Sequence, residues 1–127
     1  MAGRSAVLDA SAVIALAEGE PGADLVLSIL AGAAVPAPNW SEMLHAIQRR
    51  GGRPRDFGTR LKALGVHVEA VAEDDAEAAA GLAVANPSLS LGDRFCLAVS
   101  ERLERPVYTA DRTWAVADTR AEVVLIR

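Results

Sequence analysis

Short apolar runs and helix-like runs alternate along this chain from one end to the other, and an acid stands at four of the junctions: Asp9, Glu42, Asp93 and Asp111. Alternation of this kind suits a parallel sheet covered by helices on both faces, because parallel neighbours need a long crossover between them. In such a sheet the strand-to-helix junctions gather on one edge, where ligands bind. Four acids drawn into one crevice repel one another, so the cluster persists mainly where a divalent cation neutralises it. The pattern therefore predicts a metal-dependent active site.

The expected elements follow from apolar spacing and breakers. Strands are expected over residues 5–9, 33–35, 66–71, 107–109 and 123–126, and helices over 10–18, 23–30, 39–48, 55–64, 74–84 and 92–104, with a short helix or turn at 113–116. Asn39 is expected to cap the third helix after Pro36 and Pro38. The fold class is α/β, a three-layer α/β/α sandwich around a mainly parallel sheet of about five strands, and the length of 127 residues is that of one domain, 1–127.

Composition narrows the setting. The single cysteine, Cys96, allows no internal disulfide, and no secretory leader pattern opens the chain, so a cytoplasmic protein is expected. No apolar stretch has the roughly 20 residues a bilayer requires, and a membrane role is not expected. The net charge is −4, but six of the thirteen basic residues lie between positions 49 and 62: Arg49, Arg50, Arg53, Arg55, Arg60 and Lys62. Such a run offers guanidinium groups to phosphates, and its competing reading is a solvated helix face.

Each acid also has an ordinary explanation, the capping of a helix start. Asn39-Trp-Ser-Glu42 and Ser90-Leu-Gly-Asp93 have capping-box spacing, while Asp9 and Asp111 suit simple N-caps. The conjunction favours a site, since small or hydroxyl residues flank three of them: Ser11, Gly92 and Thr109. Ser11 and Thr109 can orient a carboxylate or bond to a metal's water. An all-oxygen donor set favours Mg²⁺ or Mn²⁺ over Zn²⁺. His45, His67, Cys96, Trp40, Phe57 and Trp114 are read as ordinary surface or core residues.

Across almost its whole length the chain resembles a PIN domain, and in particular the small VapC-type toxin ribonucleases of bacterial toxin–antitoxin pairs. The stretches that carry the resemblance are Val7-Leu8-Asp9-Ala10-Ser11-Ala12, Ser41-Glu42, Leu89-Ser90-Leu91-Gly92-Asp93 and Thr109-Ala110-Asp111-Arg112. The resemblance implies that Asp9, Glu42, Asp93 and Asp111 hold one or two Mg²⁺ or Mn²⁺ ions, that Thr109 supports them, and that RNA phosphodiesters are hydrolysed by a metal-activated water. Asp118 is the one nearby acid that matches an additional downstream position used by some relatives.

RNA is expected to approach over Arg49, Arg50, Arg53 and Arg55 on one side and Arg94 and Arg112 on the other. The resemblance also implies a VapB-type antitoxin docking on the first two helices, at Val13, Leu16, Leu25, Val26, Ile29 and Leu30, a homodimer, and DNA contact only through the antitoxin. Two other readings compete: a PIN-fold RNA-processing nuclease without an antitoxin, and a catalytically silent PIN module that binds RNA or protein.

Overall fold

A computed structural model describes residues 5–127. Five strands form one parallel sheet in the order β3-β2-β1-β4-β5: β1 (Val7–Leu8), β2 (Ala34–Pro36), β3 (His67–Glu69), β4 (Val107–Thr109) and β5 (Val123–Leu125). Val7 lies opposite Ala34 on one side and Val107 on the other. The helices are α1 (Ala10–Glu18), α2 (Ala23–Ser28), α3 (Ala37–Arg49), α4 (Pro54–Ala63), α5 (Glu73–Ala85) and α6 (Leu91–Leu103), with a 3-10 helix at Arg112–Val116.

Successive strand residues point to opposite faces, and β1 shows this in two positions. Leu8 joins a core with Val13, Val35, Met43, Ile47 and Leu61, beneath α1 to α4. Val7 joins a second core with Cys96, Leu97, Val107 and Trp114, beneath α6 and the 3-10 helix. Both residues are wholly buried, as expected of a parallel strand covered on two faces. The sandwich expected from the sequence is therefore the one observed.

The chain leaves β1 towards β2 on one side and returns through α5 and α6 to β4 on the other. The strand order thus reverses between β1 and β4, which places the crevice of an open α/β sheet at their C-terminal ends. Asp9 directly follows β1, and Asp111 lies two residues beyond β4. Gly22 makes a close approach of a different kind: its φ is +98°, and a Cβ there would stand 2.7 Å from the Ile126 carbonyl oxygen, so the start of α2 can lie against the residue that follows β5 only with glycine.

One boundary departs from expectation with a consequence for the site. Helix α3 begins at Ala37, before Asn39. Pro38 suits a first helical turn, where its missing N–H removes no hydrogen bond, and Asn39 is left inside the helix. β3 is also shorter than its alternating pattern, ending at Glu69. Arg102 of α6 ties these parts together, donating from Nε to Asp75 Oδ1 at 2.8 Å and from Nη1 to Glu69 Oε2 at 3.1 Å. No helix among the described residues is long and apolar enough to cross a membrane.

Candidate active site

Asp9, Ser11, Glu42, Arg49, Asp93 and Asp111 line one cleft of about 280 Å³, together with Ala10, Ile14, Asn39 and Ala46. The four acids thus come from the ends of β1 and β4, the first turn of α6 and the body of α3. Asp9 is the most tightly held. Its Oδ1 accepts from the Ala12 N–H at 2.9 Å and from Ser11 Oγ at 2.8 Å, and its Oδ2 accepts from Thr109 Oγ1 at 2.6 Å. Thr109, fully buried, also accepts from the Asp111 N–H at 3.0 Å, so one hydroxyl links Asp9 to the backbone that carries Asp111. Ser11 Oγ similarly accepts from the Ala110 N–H at 2.9 Å.

Capping and site formation coexist. Ser90 and Asp93 form a complete capping box, with the Asp93 N–H bonded to Ser90 Oγ and the Ser90 N–H to Asp93 Oδ2, each at 3.1 Å. Asp111 Oδ1 accepts from the Thr113 N–H at 3.0 Å and from Thr113 Oγ1 at 2.7 Å. The box expected at Asn39 and Glu42 is absent: Asn39 is buried, and its Nδ2 donates to Glu42 Oε1 at 3.0 Å and to the Gly92 carbonyl at 3.2 Å. Gly92, the small residue beside Asp93, leaves room for Glu42, whose carboxylate oxygens lie 2.6 and 2.7 Å from where a Cβ would stand.

The electrostatics fit a site that awaits positive charge. Burial pushes the Asp9 carboxyl up to about 6, opposed by its bonds to Thr109, Ala12 and Ser11, and the neighbouring Asp93 adds to the rise. Glu42 is also raised, first by burial and then by Asp93, with the Asn39 bond acting against them. Beneath them Cys96 is fully buried, and burial together with Asp9, Asp93 and Glu42 holds its thiol protonated. It is a small core residue and no nucleophile.

Among the described residues no three acid, His or Cys side chains stand close enough to grip an ion as they are placed. Three of the acids are drawn toward their own helix starts or toward Asn39, and each keeps one oxygen, Glu42 Oε2, Asp93 Oδ1 and Asp111 Oδ2, without a hydrogen-bond partner among those residues. The donor set is all oxygen and the buried Asp9 needs neutralising, so the chemistry of these residues fits a hard divalent cation.

Other expected residues lie elsewhere. Arg94 donates to the Ala79 carbonyl at 3.1 Å and so packs α6 against α5, and it does not line the acid cleft. Arg50 faces Glu18 at 3.7 Å and Arg53 faces Asp56 at 3.9 Å. Arg55 lines a separate cleft with Trp40 and Lys62, whose ammonium lies 5.6 Å over the indole, while Arg112 is exposed beside Asp111. Asp118 is outside the acid cleft, its backbone clamped by Asn86 through bonds of 2.7 and 2.9 Å. Of the expected antitoxin contacts, Val13, Val26 and Leu30 are core residues and cannot meet a partner; Leu16 and Ile29 are half-buried and Leu25 is exposed.

The PIN domain family model matches residues 6–119. The chain belongs to the PIN domain family. Comparison with curated protein sequences finds no match. Among solved structures, this PIN domain is similar to a toxin–antitoxin complex from Klebsiella pneumoniae (22% identity, TM-score 0.78, covering 97% of this chain and 98% of that one). It is similar to VapC20 of Mycobacterium tuberculosis, described as a sarcin–ricin-loop-cleaving toxin (20%, 0.72, 91% and 96%). It also matches VapBC2 of Rickettsia felis bound to a fragment of its promoter DNA (8%, 0.72, 94% and 97%). At these identities the likeness is one of fold.

Proposed function

We propose that this PIN domain is a Mg²⁺- or Mn²⁺-dependent endoribonuclease, the toxin of a VapBC-type pair. The observation that carries the reading is the convergence of Asp9, Glu42, Asp93 and Asp111 on one cleft in which burial and the nearby Asp93 charge raise the proton affinity of Asp9 and Glu42. Asp9 and Asp93 are assigned as direct ligands, with Glu42 and Asp111 direct or through water, for one or two ions. When bound, the ion supplies a more acidic water and neutralises charge on the phosphate and the leaving oxygen.

The chain's own residues do the positioning. Thr109, Ser11 and the Ala12 N–H fix the Asp9 carboxylate so that it enters the cleft in one orientation. Glu42 and Asp93, on facing helices, each keep an unbonded oxygen with which they would hold the ion that meets the phosphodiester. Arg49, at the cleft wall, and Arg112, beside Asp111, are the cations assigned to the flanking phosphates. Arg50, Arg53 and Arg55 extend that track along α3 and α4, with Arg50 and Arg53 partly engaged by acids of their own.

An antitoxin segment is assigned to the α1 to α4 side. A groove of about 330 Å³ there has Ile47 and Phe57 among its lining, with Arg53, Arg60, Glu18 and Asp56 as charged members. Leu25 and Leu27 of α2 are exposed on the same helical layer. An amphipathic peptide matches such a surface. A homodimer, DNA contact only through the antitoxin, and a cytoplasmic setting belong to the same proposal.

The test is digestion of total RNA by the purified, antitoxin-free protein with Mg²⁺ or Mn²⁺, with chelator, and with Asp93→Asn. Discrete fragments that require both metal and Asp93 support the reading. Intact RNA from folded, partner-free protein overturns it in favour of a silent binding module.

A further inference from the structure

We infer that Asn39 is a positioning residue of the acid site, setting Glu42 against Asp93; the inference rests on the metal-dependent reading above. Asn39 stands three residues before Glu42 on α3, which places both on one helix face. Its two bonds run from the same amide nitrogen, to Glu42 Oε1 at 3.0 Å on its own helix and to the Gly92 carbonyl at 3.2 Å on α6. Both partners are acceptors, which fixes the amide's orientation. One side chain therefore joins the helix that carries Glu42 to the residue directly before Asp93. The missing Cβ of Gly92 completes the arrangement, letting the Glu42 carboxylate lie against the α6 backbone.

A role confined to helix packing explains this poorly. Asn39 is buried to 1% exposure, and its Oδ1 has no hydrogen-bond partner among the described residues, a cost that an apolar side chain of similar size would avoid. The polar group gains its value from what it does to Glu42. Its amide offsets the burial of that carboxylate and stops it from swinging away from Asp93.

The test is calorimetric titration of Mn²⁺ into the full chain as native protein, Asn39→Leu, Glu42→Gln and the double variant, with melting curves for each. The expected result is Mn²⁺ affinity about tenfold weaker in Asn39→Leu, the scale on which residues behind metal ligands act, with a melting temperature equal to or above native. In the Glu42→Gln background the same change should have little further effect. Cleavage by Asn39→Leu should recover at raised Mn²⁺. Native affinity in a folded Asn39→Leu, or an equal loss in both backgrounds, overturns the role. Should Asn39→Leu not fold, Asn39→Ser, whose hydroxyl is too short to reach Glu42, carries the same comparison. A native protein that takes up no Mn²⁺ refutes the underlying metal reading and the role with it, whereas tight native binding with an indifferent Asn39 refutes only the role.

Discussion

Asp9 makes the ion-free protein less stable as the pH rises, and the size of the effect follows from its surroundings. Its carboxyl ionises near 3.8 in an unfolded chain and near 6 in the fold, with burial as the main cause. A raised carboxyl binds its proton more tightly in the folded state, so the contribution is fully present below about pH 4, falls between pH 4 and 6, and is lost above. At roughly 1.4 kcal/mol per pH unit, the gap amounts to about 3 kcal/mol at neutral pH. Asp9→Asn removes the buried charge while keeping an oxygen for the Ala12 N–H. At pH 7.5 in chelator it should gain about 1–3 kcal/mol against urea, less whatever the altered bond to Thr109 costs. At pH 4 the gain should vanish. Mg²⁺ should stabilise the native protein by about 2.7 kcal/mol at a hundredfold excess over its Kd and leave Asp9→Asn nearly unchanged. Urea curves at both pH values, with and without Mg²⁺, decide the matter. An Asp9→Asn protein that is less stable than native at pH 7.5 and equally responsive to Mg²⁺ refutes the reasoning.

Further outcomes follow from particular contacts. Thr109→Val keeps the shape but breaks the link from Asp9 to the Asp111 N–H; it should cost about 1 kcal/mol for the lost hydrogen bonds and lower cleavage more than tenfold, measured on the folded fraction. Gly92→Ala drives the flexible Glu42 end away from α6, so cleavage should fall while the melting temperature stays within a few degrees of native. Arg49→Ala should weaken RNA binding and reduce its salt dependence by about one contact's worth, read by filter binding across a salt series with Asp93→Asn present to prevent turnover. Leu25→Asp together with Leu27→Asp changes exposed positions; it should leave the fold intact and weaken a co-expressed antitoxin's grip, read by co-purification.

The sheet and the meeting of Asp9 with Asp111 were legible in sequence for a physical reason: strand ends of a parallel sheet collect on one edge, so acids just beyond β1 and β4 need no long-range information to be gathered, whereas Glu42 in the body of α3 and Asp93 at the start of α6, which follows α5, reach the same cleft through helix packing. The capping reading and the site reading of Asp93 did not compete, since one carboxylate oxygen closes the box and the other stays unbonded. Asn39 was misplaced because a residue after two prolines looks like a cap, whereas Pro38 belongs to the first turn and moves Asn39 onto the face of Glu42. Its spacing to Glu42 was the available signal. Arg94 was misassigned because adjacency in sequence to Asp93 turns it about 100° around the helix, towards α5. Val13, Val26 and Leu30 were misread because a wide apolar arc on α1 and α2 is filled by the sheet and by each other, a matter of packing that periodicity does not reveal.

The most direct test of the central claim is the chemistry of the ends left on a cleaved RNA. Attack by a water activated in the acid cleft, with the 3′ oxygen departing, predicts a 3′-hydroxyl facing a 5′-phosphate, formed only with Mg²⁺ or Mn²⁺ and lost in Asp93→Asn. A 2′,3′-cyclic phosphate facing a 5′-hydroxyl, formed equally in chelator, would mean that the RNA's own 2′-hydroxyl is the nucleophile, and it would contradict the account.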